Sequence, residues 1–396
     1  MNFPVEQDLR YPSLLAAAGA ATKVGTLTHS YYRYPARFGE MFVREAVQNF
    51  SSEGETVLDP FCGGGTTLVE ALSAGRIAIG SDLSELAITI AKAKTSLLSE
   101  RQLEVIGNWV GETTSSTKTL LVAHPDATDR RLVNVPPAAR HLVAAVRERV
   151  GLLPSGDSQV FARCLLLKAV QWAYDGKEHL PTPSQIVERI SDAFKEMRTG
   201  MLEYSQALSR LNISKIDARR RRLIRVGAAC DLSSTAFGLK KPSVSLVVTS
   251  PPYLGVHVLY NRWQIQGRKE LRVPFFIADC ADIGGPAAYT IVARGRKSNE
   301  KYFSTIQASF RAIRSMLKSK AYVVQLVSFA NSETALPLYL NAMSQAGLEL
   351  CESYLHAAGD LTWRSVPGRR WYARVGAVSD SSASQEVLLI HRKGAD

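Results

Sequence analysis

The chain has 396 residues, 46% of them hydrophobic, and carries 48 Lys and Arg against 36 Asp and Glu, a formal net charge of +12. This length allows one large core with a sizeable insertion, in roughly one to three domains, and the charge favours an anionic partner. No apolar run is long enough to span a bilayer, the N-terminus lacks a signal-peptide pattern, and the five cysteines have no paired spacing. We therefore expect a protein of the reducing cytoplasm without a membrane span, a zinc site or a disulfide framework.

The first part of the chain predicts a nucleotide-binding unit. Thr56–Leu72 has the pattern of a buried strand, a glycine-rich loop and a helix, with Asp59 where the strand ends. The glycines allow a sharp bend and a close approach of the backbone to a ligand, and the helix that follows presents free N–H groups. A second predicted strand, Arg76–Asp82, ends in a carboxylate about 20 residues further on, the position that binds ribose hydroxyls in nucleotide-binding folds. This order of elements predicts an α/β sheet with a nucleotide-like cofactor at its edge.

A long helical segment follows. From about residue 100 to 222 the pattern is mostly helical, broken at Gly111–Thr119 and at Pro136-Pro137. The segment is too long for a connection in a doubly wound sheet, so we expect an inserted helical domain. The basic run Arg219–Arg222 at its end suits either phosphate contacts or a solvated helix end, where basic side chains favour the C-terminal dipole. The predicted helices of the whole chain are Leu14–Ala21, Leu86–Leu98, Leu142–Val150, Val160–Tyr174, Pro183–Thr199, Met201–Asn212, Ile306–Leu317 and Leu336–Ala346.

The segment Val244–Tyr253 predicts a substrate site. Its β-branched run ends in a double proline, which indicates a buried strand that stops at a stiff loop, where an open α/β sheet has its active site. Pro251 and Pro252 lack N–H groups and have a fixed φ, so they offer carbonyl oxygens without a competing donor. With the hydroxyl of Ser250 and the ring of Tyr253 they form a clamp that can accept two hydrogen bonds from an amino group and stack on a flat ring. The substrate predicted is a planar ring with an exocyclic amine, such as cytosine or adenine; the alternative is a strand-terminating turn with a packed tyrosine.

The chain beyond this clamp predicts a long loop and the remaining strands. Leu254–Glu300 is punctuated by Gly and Pro and is rich in aromatic and basic residues. The predicted strands that follow are Ala321–Phe329, Leu348–Leu355 and Glu386–His391, with Leu361–Ala383 as a hairpin arm between the last two.

These motifs resemble those of the DNA amino-methyltransferases, which use S-adenosylmethionine (AdoMet). Asp59–Thr67 is similar to the family's cofactor loop, and Asp82 to its ribose-binding acid. Tyr34–Phe38 resembles a preceding segment that contacts AdoMet, with Arg37 where lysine is usual. Ser250–Tyr253 is similar to the catalytic tetrapeptide of the N4-cytosine branch, whereas the N6-adenine branch usually begins with Asp or Asn.

The resemblance covers roughly residues 25–100 and 220–350 and implies a Rossmann-like class I methyltransferase fold, with a mostly parallel seven-stranded sheet. Residues 1–100 would then form an N-terminal segment and the AdoMet-binding half, 101–222 a helical insertion for target recognition, and 223–396 the catalytic half with DNA-contacting loops. The implied cofactor-binding residues are Tyr34, Pro35, Phe38, Asp59, Pro60, Phe61, Gly63, Gly65, Thr66, Thr67, Asp82, Leu83, Asp231 and Leu232, and the implied catalytic residues are Ser250, Pro251, Pro252 and Tyr253.

The partner that the resemblance implies is double-stranded DNA, from which the target base is flipped, and a location at the nucleoid follows. Mixtures of arginine with aromatic residues suit contact with bases and backbone. On that basis the expected DNA-binding residues are Arg262, Trp263, Arg268, Arg369 and Arg370. No cysteine follows a proline, which argues against methylation of cytosine at carbon 5, and no metal is required. A cognate restriction enzyme or another defence system is a further expected partner.

Other functions on the same fold stay open at this point. An RNA amine methyltransferase usually carries Asp or Asn before Pro-Pro and an added RNA-binding module. A non-catalytic DNA-binding subunit would have decayed motifs, but Asp59, Asp82 and Ser250–Tyr253 are intact. Within the DNA hypothesis, Ser250 favours cytosine N4 over adenine N6.

Overall fold

A sheet with helices on both faces forms the centre of the structure, a computed structural model that describes residues 10–19, 25–33, 39–254, 263–267, 269–282, 296–329, 331–351, 361–365 and 385–394. The strands are β1 (Thr56–Asp59), β2 (Ile77–Asp82), β3 (Arg222–Val226), β4 (Val244–Thr249), β5 (Trp263–Ile265), β6 (Lys269–Leu271), β7 (Leu317–Val327), β8 (Leu348–Leu350), β9 (Trp363–Ser365) and β10 (Gln385–Lys393). The helices are α1 (Arg10–Gly19), α2 (Glu40–Phe50), α3 (Thr66–Ser73), α4 (Glu85–Thr95), α5 (Glu100–Ser115), α6 (Thr117–Leu120), α7 (Pro137–Gly151), α8 (Gly156–Tyr174), α9 (Pro183–Arg210), α10 (Lys215–Arg220), α11 (Val273–Ala278), α12 (Arg296–Met316) and α13 (Ser332–Gln345).

The order of the strands is that of a doubly wound sheet. It runs β3-β2-β1-β4-β7-β10-β8, and β9 pairs with β10 beside this path. β1, β2, β3, β4 and β7 are parallel, while β10 runs antiparallel to its neighbours. The chain moves outward in one direction from β1 and in the other from β4, so the strand order reverses between these two strands. The predicted mostly parallel α/β sheet is confirmed, with β9 as an eighth strand.

Alternate residues of the strands supply two separate cores, because side chains along a strand point to opposite faces. In β4, Leu246 and Val248 belong to the core that α2, α3 and α4 cover. Val247 belongs to the second core, which α12 and α13 cover. The two faces explain why the strands are almost continuously apolar rather than alternating.

The helical segment between β2 and β3 packs onto the sheet domain. α8 packs against α4 and α9, and side chains such as Phe161 and Ile190 share one buried cluster with Leu246 of the sheet. The expected break at Gly111–Thr119 is confined to Ser116, since α5 runs to Ser115 from a capping box at Ser99 and α6 begins at Thr117. The domain boundaries at residues 100 and 222 stay predictions.

Gly200 explains a second difference from the predicted helices. Pro183–Thr199 and Met201–Asn212 were expected as two helices, but α9 is continuous over both. A Cβ at Gly200 would lie 2.1 Å from the carbonyl oxygen of Leu27, so the glycine admits a neighbouring backbone instead of ending the helix. Of the helices that the structure describes, none has the length and apolarity to cross a membrane.

Candidate active site

The cofactor loop and the clamp meet at one edge of the sheet. β1 lies between β2 and β4, and all three are parallel, so their carboxyl ends share that edge. The Thr249 hydroxyl at the end of β4 donates a hydrogen bond to Oδ1 of Asp59 at the end of β1, at 2.7 Å. The Thr67 hydroxyl at the start of α3 donates to the Val248 carbonyl at 3.2 Å. These contacts fix the loop beside the strand that leads into Ser250.

The glycine loop turns sharply where its glycines have positive φ. Gly63 has φ +44° and Gly65 φ +78°, in the left-handed region that favours glycine. The Gly65 N–H donates to the Cys62 carbonyl at 2.7 Å, which closes the turn. Gly65 is also the N-cap of α3 and, having no side chain, leaves the first-turn N–H groups of that helix without a side-chain cap. Those donors are of the kind that binds an anionic group.

Asp82 ends β2 beside this loop. Its carboxylate accepts hydrogen bonds from the N–H groups of Gly63 and Ser84, both at 2.9 Å. Burial raises the pKa of Asp82, and these two hydrogen bonds oppose the shift. A carboxylate has about four acceptor positions, so two are left for hydroxyl donors. The neighbouring Leu83 is 45% exposed and offers an apolar surface next to them.

Asp59 faces the interior rather than the open edge. It is 2% exposed and accepts from the Phe61 N–H at 3.2 Å as well as from Thr249. Burial raises the pKa of its carboxyl to about 6, against the opposing hydrogen bonds from Thr249, Thr67 and Phe61. The structure therefore places Asp59 behind the loop, where it holds β4 and the loop together. Of the next two predicted residues, Pro60 is buried and Phe61 half-buried.

The predicted residues that follow β3 lie on the same edge. The Ser81 hydroxyl donates to the Gly227 carbonyl at 2.9 Å, which joins the ends of β2 and β3. A 3₁₀ turn at Ala229–Asp231 follows, with Asp231 exposed and Leu232 buried.

The clamp differs in one respect from its prediction. Ser250 Oγ lies 2.9 Å from the Tyr253 hydroxyl oxygen and 3.0 Å from the Leu326 carbonyl. Tyr302 donates to the Pro252 carbonyl at 2.9 Å, whereas no described residue donates to the carbonyl of Pro251. The Tyr253 ring is only 8% exposed and belongs to the second core, so it presents no face for a stacked base in this structure. Its packing is that of the alternative foreseen for this turn.

Glu386 explains why Tyr253 turns inward, and sequence reasoning missed it. The Tyr253 hydroxyl donates to Glu386 Oε1 at 2.7 Å. Arg364 holds the other carboxylate oxygen through Nε at 2.8 Å, because β9 and β10 pair in the register that sets the two residues opposite each other. Glu386 stands 133 residues from Tyr253, and nothing in the local pattern of β10 distinguishes it. Only the strand pairing brings it to the clamp.

The expected DNA-binding residue Trp263 is in the core. It is 2% exposed, and its indole N–H donates to the Tyr32 hydroxyl at 2.9 Å. Its prediction as a DNA contact is therefore wrong, because a buried ring with a satisfied N–H has no face for a base. Several other predicted residues lie outside the described part of the chain, namely Tyr34, Pro35, Phe38, Arg262, Arg268, Arg369 and Arg370.

The basic run Arg219–Arg222 lies away from the clamp. β3 begins at Arg222, so the run is at the amino end of a strand whose carboxyl end faces the site. Arg221 donates to the Gly75 carbonyl and Arg222 to the Ser96 hydroxyl, both at 2.5 Å. These two arginines join elements of the fold. Within the described ranges, no group of three or more His, Cys, Asp or Glu side chains is arranged to hold a metal ion.

Known DNA methylases are similar to one segment of the chain. Residues 18–93 match the N6_N4_Mtase family, described as DNA methylase. Over this segment the chain is similar to the DNA amino-methyltransferases. It is 35% identical over 85 residues to the type II methyltransferase M.MvaI of Kocuria varians, an alignment of 21% of this chain and 19% of that protein. The chain thus matches about a fifth of the length of this curated relative.

Solved methyltransferase structures are similar at lower levels. A TehB-like AdoMet-dependent methyltransferase from Corynebacterium glutamicum has 9% identity and a TM-score of 0.33, with 89% of this chain and 86% of that chain covered. The rRNA methyltransferase aviRa from Streptomyces viridochromogenes has 11% identity and a TM-score of 0.35, with 92% and 89% covered. The fold assignment rests on the strand order given above rather than on these scores.

Proposed function

We propose that the chain is an AdoMet-dependent DNA methyltransferase that methylates the exocyclic amine of a base, with cytosine N4 as the target. One observation carries this proposal: β1 and β4 are neighbours, so a glycine loop suited to a nucleotide cofactor lies beside a Ser-Pro-Pro-Tyr turn suited to an amine. The match of residues 18–93 to DNA methylases supports a DNA substrate. The net charge of +12 agrees with a polyanionic partner.

The residues at the edge fit AdoMet. The uncapped first turn of α3, which begins at Gly65, suits the carboxylate of the amino-acid end. Asp82 has acceptor positions left for the ribose hydroxyls, and the exposed side chain of Leu83 suits the adenine ring, to which we also assign Asp231 and Leu232. The cofactor is AdoMet, and it supplies an electrophilic methyl group on sulfur.

The clamp orients the amine. Ser250 Oγ and the Pro251 carbonyl accept its two N–H groups, which turns the nitrogen lone pair away from the turn and toward the cofactor side of the edge. Holding two reactants in this way supplies most of the rate enhancement, since methyl transfer to an amine needs no covalent intermediate with the protein. Tyr253 supports Ser250 from behind. The base leaves the duplex to reach the turn, at a cost of a few kcal/mol.

The choice of base rests on Ser250. A tetrapeptide that begins with Ser is the N4-cytosine form of this motif, and adenine N6 is the alternative, because both bases present the same kind of amine. The family match covers both branches.

Expression in a host without DNA methylation tests the proposal. Wild type should give N4-methylcytosine at one short recurring sequence, and Ser250→Ala should give none while binding AdoMet as wild type does. N6-methyladenine would change the target base and keep the enzyme class. Unmodified DNA together with methylated RNA in the same cells would refute the DNA substrate, and a fully active Ser250→Ala would refute the site. If the proposal holds, a restriction enzyme or another defence protein should recognise the same sequence.

A further inference from the structure

A chain of buried hydrogen bonds runs from the clamp to an ion pair. Ser250 Oγ lies 2.9 Å from the Tyr253 hydroxyl, which donates to Glu386 Oε1 at 2.7 Å. Arg364 binds Glu386 Oε2 through two nitrogens, at 2.5 and 2.8 Å, and also donates to the Ala18 carbonyl. The side chains of Arg364 and Glu386 are 10% and 6% exposed. Water therefore has little access to the ion pair of Arg364 and Glu386, where this series of hydrogen bonds ends.

The direction of each hydrogen bond follows from the donors and acceptors available. Glu386, paired with a guanidinium, is an acceptor only, so the single hydroxyl hydrogen of Tyr253 is committed to it. The Tyr253 oxygen can then only accept from Ser250. The other neighbour of Ser250 Oγ, the Leu326 carbonyl, is also only an acceptor. Whichever of the two Ser250 binds, its own hydrogen points into the protein and its lone pairs are left for a donor from outside.

We propose that Glu386 is a positioning residue that, through Tyr253 and together with the Leu326 carbonyl, keeps Ser250 a hydrogen-bond acceptor, and that this selects an amine over a carbonyl group on the target base. The inference rests on the proposed function, since it names how the same clamp discriminates among bases. Cytosine and adenine present an N–H donor at the position that the clamp reads, whereas thymine or uracil present a carbonyl oxygen. A serine whose hydrogen was free to rotate outward could accept from an amine or donate to a carbonyl group, so it would not distinguish the two kinds of base.

Glu386→Gln reverses the direction of the hydrogen bond with Tyr253 and keeps the shape of the side chain. Arg364 offers only donors, so it draws the amide oxygen of the new Gln and leaves the amide NH₂ facing Tyr253. The Tyr253 hydroxyl then accepts from the amide, and its hydrogen turns toward Ser250, where it competes with the substrate amine. Because one hydrogen bond to the reacting group is weakened, we expect kcat to fall about tenfold, with KM for AdoMet unchanged.

A double-mutant cycle separates this role from a structural one. Tyr253→Phe removes the hydroxyl and keeps the ring, and we expect a similar loss of about tenfold. If Glu386 acts only through that hydroxyl, Tyr253→Phe/Glu386→Gln should lose about tenfold in total rather than about a hundredfold. The matched control is Tyr339→Phe, another buried tyrosine, whose hydroxyl donates to the neutral Gln325 at 2.5 Å in the same core. That variant should keep the wild-type kcat.

Binding to modified DNA gives a second readout. Once the target sequence is mapped, duplexes with cytosine or uracil at the target position are compared for affinity. Wild type should prefer the cytosine duplex, and Glu386→Gln should narrow that preference by about fivefold to tenfold. An unchanged preference, an unchanged kcat or losses that multiply in the double variant would overturn the inference while wild-type methylation still supported the enzyme. A wild type that methylates no DNA would overturn both.

Discussion

Gly65→Ala, compared with Gly54→Ala, should separate the cost of backbone strain from the cost of crowding at the glycine loop. Gly65 has φ +78°, where an L-residue is strained, and a Cβ there would lie 3.0 Å from the Cβ and 3.1 Å from the Cα of Ala91 on α4. Gly54 has the same φ of +78°, but a Cβ at that position meets nothing within 4 Å. The pair therefore differs in crowding and shares its backbone strain.

The expected losses follow from these two terms. A non-glycine residue in the left-handed region costs about 1–2 kcal/mol. Overpacking against a neighbour that cannot move costs about 1–3 kcal/mol more, and here part of the contact is with the backbone of Ala91. We expect Gly54→Ala to lower the free energy of unfolding by about 1–2 kcal/mol and Gly65→Ala by about 2–5 kcal/mol.

Urea denaturation measures both losses, and calorimetric titration measures AdoMet affinity. Gly65→Ala should also weaken AdoMet binding at least about tenfold, because pushing α3 away from α4 by a few tenths of an ångström moves the first-turn N–H groups. Gly54→Ala should bind AdoMet as wild type does. Equal losses of stability in the two variants would refute the crowding at Ala91. Unchanged AdoMet affinity in Gly65→Ala would refute the placement of the cofactor at this loop.

Asp59, Asp82 and Trp263 each have a contact whose loss can be measured. The pKa of Asp59 is about 6 in the folded protein against an ordinary 3.8, so the native state holds an extra proton between these values, and stability is lost as pH rises through 6. Asp59→Asn should remove about 3 kcal/mol of this loss in the free energy of unfolding, measured by urea denaturation between pH 4 and 7. A variant with the same dependence of stability on pH as wild type would contradict the prediction. Asp82→Ala should weaken AdoMet binding at least about tenfold and leave the affinity for DNA unchanged, and a full-strength AdoMet complex would contradict its role. Trp263→Phe removes the hydrogen bond to Tyr32 and should lower the free energy of unfolding by about 1–3 kcal/mol without changing affinity for DNA, whereas a stable variant with weakened DNA binding would restore Trp263 as a DNA contact.

The parts of the fold that the sequence predicted correctly depend on local patterns. Apolar runs bounded by Gly, Pro or Asp are sufficient to place β1, β2 and β4, since a strand buried on both faces is continuously apolar. The glycines of the cofactor loop are likewise local, because the left-handed backbone at Gly65 admits few other residues. Parallel strands then bring their carboxyl ends to one edge without further information. The neighbourhood of Asp59, Asp82 and Ser250 was therefore predictable.

What sequence patterns could not predict depends on distant partners. Gly200 has the appearance of a helix break, yet α9 continues through it. The residue is glycine because the Leu27 carbonyl occupies the space that a side chain would need. Trp263 stands among basic and aromatic residues typical of a DNA-binding loop, yet the hydroxyl of Tyr32 draws it into the core. In both cases the deciding partner is far away in sequence. Leu27 is 173 positions from Gly200, and Tyr32 is 231 positions from Trp263.

The clamp depends both on its local sequence and on distant partners, because its first residue is a serine. An aspartate in place of Ser250 would accept hydrogen bonds in any surroundings, because an ionised carboxylate has no hydrogen to donate. Serine has one hydrogen and two lone pairs, so its preference depends on where that hydrogen is held. In this chain the acceptors are the Leu326 carbonyl, 76 residues away, and the Tyr253 hydroxyl, whose own hydrogen is bound by Glu386 a further 133 residues along. On the proposed function, a tetrapeptide that begins with serine recognises an amine only together with these supporting residues, and Glu386→Gln measures how much of that recognition they supply.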